Sequence, residues 1–125
     1  TPLYSSAASD VYKRQNQYNA GGAKADSALM KPAFSDQATI FGVDGDNKLT
    51  GGAIQNLFDT IDTAFVPSPD AKAAIIRVDI VGTAASARID TDNISGYRFT
   101  DFFNLLKVQG KWIVVSKIYH THPNN

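Results

Sequence analysis

Apolar residues dominate a long stretch near the end of the chain, where DFFNLLKVQGKWIVVSKIYH covers residues 101–120. Two runs of strand-forming residues flank Gln109-Gly110, a pair suited to a two-residue hairpin loop because glycine readily adopts positive φ. A strand with one solvent-facing side alternates apolar and polar residues, whereas these runs are apolar at most positions. The pattern therefore predicts two antiparallel strands, Tyr97–Val108 and Lys111–His120, and both faces of this pair need cover.

The pattern upstream predicts helices and further strands. One helix face carries four apolar residues at the i, i+3, i+4 and i+7 spacing: Ile54, Leu57, Phe58 and Ile61. Thr50 is the expected cap of this helix. Shorter patterns predict a helix over 24–30 and strands over 38–42, 47–49, 73–81 and 84–90. Helices that precede a meander of long antiparallel strands indicate an α+β fold.

Counting outwards from Gln109-Gly110 gives the expected strand register. One face then pairs Lys107 with Trp112, Leu105 with Val114, Phe103 with Ser116, Asp101 with Ile118 and Phe99 with His120. The other face pairs Leu106 with Ile113, Asn104 with Val115, Phe102 with Lys117 and Thr100 with Tyr119. Helices can cover one of these faces, and a second copy of the chain is the economical cover for the other. We therefore expect a homodimer packed sheet to sheet, the alternative being a monomer with an apolar outer sheet.

Composition narrows the classes of partner. The chain has 125 residues, enough for one domain, and its 12 acidic and 12 basic side chains cancel. The balance of charge argues against a nucleic-acid partner, and no apolar run reaches the ~20 residues of a membrane-spanning helix. Cysteine is absent, which excludes disulfides and Cys-ligated zinc, and we expect no cofactor. The compartment is left open, with the cytoplasm as a working assumption.

The N-terminal stretch TPLYSSAASDVYKRQ differs in origin from the rest of the chain on one interpretation of its sequence. It resembles a string found at the ends of translated environmental sequence reads. On that resemblance, residues 1–15 are a non-native or truncated segment, and residues 16–122 form a single domain. The alternative is a native first helix rich in alanine and serine, with Ala7, Val11 and Tyr18 on one side.

Three segments together resemble a known superfamily: NAGGAKADSALMKPAFSDQATIFG (19–42), LTGGAIQNLFDTI (49–61) and DFFNLLKVQGKWIVVSKIYH (101–120). They are similar to nuclear transport factor 2-like (NTF2-like) proteins, specifically to the branch called putative lumazine-binding, close to the SnoaL-like polyketide cyclases. The resemblance implies a cone-shaped, curved antiparallel sheet wrapped around about three N-terminal helices, a cystatin-like roll. It also implies a pocket between the concave sheet face and the helices, and dimerisation through the convex face.

The resemblance also implies which residues line the pocket. The expected concave set is Thr100, Phe102, Asn104, Leu106, Ile113, Val115, Lys117 and Tyr119, and the expected convex set is Phe103, Leu105, Trp112, Val114, Ile118 and His120. The candidate substrate-binding residues are Asn104, Lys117, Tyr119, Phe102 and Tyr18. An amide at Asn104 suits a carbonyl or heteroaromatic ring, and a buried Lys117 calls for an anionic ligand or acidic partner. The alternatives are a core amide, a surface lysine and ordinary core aromatics.

Catalytic residues are not complete in this sequence. Ketosteroid-isomerase-like members carry a carboxylate base where this chain has Gly42, an acidic group where it has Asn104 and a tyrosine where it has Arg14. His120 and His122 supply two imidazoles where zinc takes three or four ligands, so no metal site is predicted. Asp101 and His120 are expected to be diagonal neighbours on one face.

Three functional hypotheses follow. The first is non-catalytic binding of a small aromatic or carbonyl-bearing molecule by a homodimer. The second is an isomerase, cyclase or dehydratase-like enzyme acting on such a compound. The third is a non-catalytic dimerisation module whose cavity is filled by side chains.

Overall fold

A curved six-stranded sheet packs against helices in the computed structural model, which describes residues 6–123. The elements in chain order are helix α1 (Ser6–Lys24), two single-turn 3-10 helices (Ser27–Leu29 and Lys31–Ala33), strands β1 (Phe34–Val43) and β2 (Leu49–Ala53), helix α2 (Gln55–Ala64), and strands β3 (Lys72–Val81), β4 (Ala84–Ile94), β5 (Tyr97–Val108) and β6 (Lys111–His122). The predicted α+β class and curved sheet are confirmed.

The sheet order is β2-β1-β6-β5-β4-β3, and only the β1–β6 pair is parallel among the described strands. The β1–β2 hairpin comes before α2, so Thr50 lies within β2 and the prediction that it caps the helix was wrong. Gly51 has a φ of +136°, and a Cβ added there would overlap the carbonyl oxygen of Ile40 in β1. Glycine is needed at this position because the two backbones approach too closely for a side chain.

Helix α2 packs through its predicted apolar stripe, whose members are 2% to 8% exposed. Asp62 on the same helix accepts hydrogen bonds from the backbone N–H of Ser27 at 2.9 Å and from its hydroxyl at 2.7 Å. These bonds hold the pKa of the Asp62 carboxyl below its ordinary value. The helix is therefore fixed both to the sheet, through apolar contacts, and to the turn that follows α1.

Helix α1 crosses the predicted boundary between residues 15 and 16. Two side chains that precede this boundary, Val11 and Gln15, are fully buried. Residues 1–5 of the predicted N-terminal segment lie outside the described residues. Whether residues 1–15 are native, and whether the domain starts at residue 16, stays a prediction.

The β5–β6 hairpin follows the predicted register only near its loop. Gln109 and Gly110 both have positive φ, at 50° and 80°, as a two-residue primed turn requires. Leu105 pairs with Val114 as expected, but the next partner of β6 is Ser116, which pairs with Asn104. Val115 is therefore an extra residue, a β-bulge, which shifts every later pairing by one position.

Most predictions of which β5 and β6 side chains face the core were wrong. The bulge is one reason, and the other is that the concave and convex faces of β5 were exchanged in the prediction. In β5, the buried residues are Asp101, Phe103 and Leu105, whereas Phe102 is 40% and Leu106 is 41% exposed. The concave face of β5 is thus the set that we expected on the convex face. In β6 the same inversion applies before the bulge, where Trp112 and Val114 are buried. Past the bulge Lys117 and Tyr119 face inward as predicted, while Ile118 and His120 face outward.

Candidate functional site

A cavity of about 540 Å³ lies between the two α-helices and the concave face of the sheet, at the end away from the β5–β6 loop. Its inner walls include the buried apolar side chains Ile40, Leu57, Ile61 and Ile94. Exposed residues such as Asn56, Thr60 and Thr121 also line it, so they mark its opening to solvent. A mostly apolar cavity of several hundred Å³ is typical of sites for small molecules.

Aromatic rings form one wall of this cavity. Phe65, just after α2, stacks at 6.3 Å and 8° on Phe99 and at 6.5 Å and 25° on Tyr97. Phe99 in turn meets the ring of Tyr119 edge-on at 6.4 Å. Rings in these orientations offer both a face and an edge to a flat ligand.

Three ionisable side chains meet at the inner side of the cavity. The hydroxyl of Tyr18 on α1 donates a hydrogen bond of 2.9 Å to Oδ2 of Asp101 on β5. Nζ of Lys117 on β6 lies 3.5 Å from Oδ1 of the same carboxyl, beyond the ~2.7–2.9 Å of a tight charge-assisted bond. The Lys117 and Asp101 side chains are only 5% and 1% exposed. Tyr18 and Lys117 line the cavity, so the cluster connects it to the core.

Burial shifts the pKa of all three groups towards the neutral form. It raises the pKa of the Asp101 carboxyl above its ordinary value, against the opposing influence of Lys117 and Tyr18. It lowers the pKa of the Lys117 ammonium, with the charge of Asp101 acting in the opposite direction. Burial, and then the charge of Asp101, raise the pKa of the Tyr18 hydroxyl. Desolvation thus brings the acid and the base of the ion pair closer together in proton affinity.

Aromatic faces surround the Lys117 ammonium. Nζ lies 4.7 Å from the ring centroid of Tyr18, 5.4 Å from that of Tyr119 and 5.9 Å from that of Phe103. Each cation–π contact offsets part of the lost hydration, by roughly 0.5–2 kcal/mol. The rings and the carboxyl together hold the amine at the cavity wall.

Two further polar atoms of cavity-lining residues are buried and have no hydrogen-bond partner within residues 6–123: Oδ1 of Asn19 and Oγ1 of Thr91. A buried polar group without a partner costs about 1–3 kcal/mol, so such groups call for an explanation.

The ring of Tyr119 leaves no room for a side chain at Gly42, where related enzymes carry a carboxylate. A Cβ added to Gly42 would lie 2.5 Å from Cζ and 2.7 Å from Cε1 of Tyr119. The tyrosine ring therefore occupies the space that a longer side chain would need. Tyr18 and Lys117 instead supply polar groups of the cavity wall, and both contact Asp101 behind it.

The structure brings together three of the five predicted binding residues. Tyr18, Lys117 and Tyr119 line the cavity. Asn104 and Phe102 do not, and their predicted inward facing was wrong, because β5 presents its alternate residues to the core. Asn104 is exposed and donates a hydrogen bond of 2.9 Å to the Ser116 hydroxyl. That the three lining residues bind a ligand stays a prediction.

Asp101 was missed as a site residue. Its signal in the sequence is a charge within the apolar run Phe99–Leu106, two residues before Phe103 and thus on the same strand face. The prediction that Asp101 and His120 share one face was wrong, because Asp101 points inward and His120 is exposed on the other face. Arg14, at the predicted tyrosine position, donates to the backbone carbonyl of Trp112 at 2.9 Å.

Comparison with known proteins agrees with this architecture. A family model described as putative lumazine-binding matches residues 6–120. The chain belongs to this family. A crystal structure of an NTF2-like protein from Shewanella baltica OS155 is 70% identical, with a TM-score of 0.96 over 99% of this chain and 100% of that one. A second NTF2-like protein, from Methylobacillus flagellatus KT, is 35% identical, with a TM-score of 0.88 and 97% coverage of both chains.

One curated relative carries an enzyme name. "Aldolase FrzH" from Cladobotryum sp. is 36% identical over 105 residues, which cover 80% of this chain and 79% of that protein. Together with the family match, these similarities establish the NTF2-like superfamily for this lumazine-binding-type chain. In the described part of the chain, no helix combines the length and the hydrophobicity needed to cross a bilayer.

Proposed function

We propose that this member of the lumazine-binding family binds a small, mostly apolar carbonyl compound in the cavity. The observation that carries the proposal is the buried Lys117–Asp101 pair at the cavity wall. A buried ion pair contributes little net stability, because desolvation of both charges offsets their attraction. Its position beside an apolar cavity therefore fits a role in binding better than a role in folding.

The lining suggests how such a ligand lies. Its carbonyl oxygen would accept from the Lys117 amine at the cavity wall. Its ring would lie along Phe99 and Tyr119. The cavity volume argues against the alternative of an interior filled by side chains.

A thermal-shift screen tests this proposal. The probes are lumazine, aromatic aldehydes and aryl ketones, and ligand at 100 times its Kd stabilises the folded chain by about 2.7 kcal/mol. We expect hits whose affinity falls at least tenfold in Lys117→Met and is unchanged in the matched control Lys107→Met, an exposed lysine on the neighbouring strand. If none of these probes raises the melting temperature, or if both variants bind equally well, carbonyl binding at this site is wrong.

Catalysis is the second candidate function, favoured by the acid–base pair and by similarity to a protein named as an aldolase. Aldol chemistry requires removal of a proton from the carbon next to a carbonyl, and an acid–base pair whose pKa values burial shifts towards each other suits that task. NMR detection of deuterium exchange at this carbon of a bound ketone tests the proposal. We expect exchange in the wild type and its loss in Asp101→Asn; equal exchange in both proteins would exclude this role.

We further propose that a second copy of the chain covers the convex face. Three apolar side chains there are 40% to 54% exposed: Phe102, Leu106 and Ile118. Phe102 and Ile118 are cross-strand neighbours, and Leu106 lies on the same face beyond the Asn104–Ser116 pair, so a two-fold partner would match this face with its own copy. Sedimentation equilibrium should give a dimer for the wild type and a monomer for Ile118→Lys. A monomeric wild type would contradict the proposal.

A further inference from the structure

Lys117 differs from every other lysine of the chain in its surroundings. It is 4% exposed and lines the cavity, and its amine lies within 6 Å of three ring centroids. The other seven lysines all lie within residues 6–123 and are exposed: Lys13, Lys24, Lys31, Lys48, Lys72, Lys107 and Lys111. Only this amine can therefore meet a ligand that is held out of water.

The environment favours a nucleophilic form of the amine. An ammonium ion has no lone pair, so a lysine acts as a nucleophile only after it loses a proton, and desolvation in an apolar pocket promotes that loss. Asp101 is the nearest group able to take the proton, with Oδ1 at 3.5 Å from Nζ. The hydrogen bond from Tyr18 holds the other carboxyl oxygen in place, so Oδ1 remains directed at the amine.

We propose that Lys117 forms a covalent imine with an aldehyde or ketone that enters the cavity, an inference that rests on the carbonyl-binding function proposed above. The ammonium gives a proton to Asp101, and the nitrogen lone pair attacks the carbonyl carbon while the carbonyl π electrons move to oxygen. Proton transfers leave a neutral carbinolamine. Its C–O bond then breaks, the oxygen takes the proton held by Asp101, and water departs.

The charges balance over this sequence. The site starts as ammonium and carboxylate and ends as a protonated imine and carboxylate, with one water released and no oxidant or reductant required. The cationic imine occupies the position of the ammonium, opposite Asp101 and among the same ring faces. The cluster therefore suits both the reactant and the product of the step.

Reductive trapping tests the inference. The full chain is incubated at pH 7 with benzaldehyde and sodium cyanoborohydride, and the modified residue is mapped by peptide mass spectrometry. An unperturbed lysine has a pKa of ~10.4, so its amine is almost entirely protonated and unreactive at pH 7. We expect Lys117 to be labelled at least tenfold faster than any exposed lysine, with a mass gain equal to benzaldehyde less one oxygen atom.

Two arginine variants provide the matched comparison. Lys117→Arg keeps a cation but cannot form an imine under these conditions, so the dominant label should disappear; Lys107→Arg should leave it unchanged. The labelled residue is mapped in the wild-type protein, so the inference can be tested even if Lys117→Arg does not fold. Labelling spread over the exposed lysines, with Lys117 unmodified, would overturn it.

The proposed binding function can fail or survive separately. A thermal shift with benzaldehyde or an aryl ketone, without a trapped adduct at Lys117, would overturn the imine and leave carbonyl binding intact. Neither a thermal shift nor an adduct would overturn both. A labelling rate that rises with pH and reaches half its maximum well below pH 10.4 would support the deprotonated Lys117 as the reactive form.

Discussion

The two halves of the β5–β6 hairpin contribute to the protein in opposite ways. Near the loop, Leu105, Trp112 and Val114 are at most 1% exposed and form closed apolar core. Beyond the bulge at Val115, β6 presents Lys117 to a cavity, and Asp101 on β5 pairs with its amine behind the cavity wall. One half gains stability from burial, and the other keeps two ionisable groups where burial is unfavourable.

The bulge is the feature that separates these halves. Without an extra residue, the side chains of β6 would continue to alternate from Val114 to Ser116 and Ile118 on the inner face. With it, Lys117 and Tyr119 face inward instead. A single inserted position thus converts a core-forming strand into one wall of a candidate site, as bulges near functional sites commonly do.

The largest expected effect comes from the closed core next to the cluster. Phe103→Ala removes a ring with no exposed surface and should lower the free energy of unfolding by about 3–5 kcal/mol. In the monomeric Ile118→Lys background, Phe102→Ala, one residue away on the outer face, should cost about 1 kcal/mol or less. Urea denaturation measures both, and similar losses in the two variants would contradict the observed facing of β5.

Asp101→Asn should have the next largest effect. It leaves the Lys117 amine buried without its counter-ion, at a cost of about 3 kcal/mol in the free energy of unfolding. Asp79→Asn breaks an exposed pair with Arg77 and should change stability by less than about 1 kcal/mol. Addition of Lys117→Met to Asp101→Asn should restore much of the loss. A double variant less stable than Asp101→Asn alone would refute the pairing.

Gly42→Ala tests the cavity wall and should have an effect of intermediate size on stability. The new methyl group meets the ring of Tyr119, which has to move, and overpacking of this kind costs roughly 1–3 kcal/mol. We expect a lower melting temperature and a change in the affinity of any cavity ligand. Gly45→Ala is the control, because an added Cβ there meets nothing within 4 Å. Unchanged ligand affinity in Gly42→Ala would remove Tyr119 from the site.

The smallest expected effect belongs to a predicted site residue. Asn104→Leu removes an exposed hydrogen bond to Ser116 on the outer face and should alter stability by about 0.5 kcal/mol or less. It should leave ligand affinity unchanged, whereas Tyr119→Leu should lower it. Calorimetric titration compares the two variants. Weaker binding in Asn104→Leu alone would contradict the outward position of this residue.

Sequence patterns predicted the elements better than the site. The i, i+3, i+4 spacing in α2 and the Gln109-Gly110 loop were informative because each reflects local geometry. The facing of β5 was not predictable from its composition, because both of its faces carry large apolar residues. Phe102 and Phe103 are adjacent and chemically identical, yet one is 40% exposed and the other is fully buried.

The bulge lay beyond the reach of the pattern as well. Nothing in Val114-Val115 distinguishes a bulged pair from two regular strand residues, since both are apolar and β-branched. The family resemblance predicts the wrong face for β5 and for the start of β6. Its prediction for Lys117 and Tyr119 agrees with the structure only because the bulge at Val115 reverses the facing of the residues that follow it. Asp101 was the stronger signal, because a charge within an apolar run has to find a partner when it is buried.

An NMR titration of the lysine side chains tests the central claim most directly, namely that the amine of Lys117 is buried at the wall of the cavity. The folded chain is labelled with ¹³Cε-lysine, and the Lys117→Met variant identifies its signal among the eight lysines. Because burial lowers the pKa of the Lys117 ammonium, we expect its signal to titrate below the ~10.4 of an unperturbed lysine, with the midpoint changed by a bound aldehyde or ketone. A Lys117 signal that titrates at the ~10.4 of an unperturbed lysine would contradict the claim.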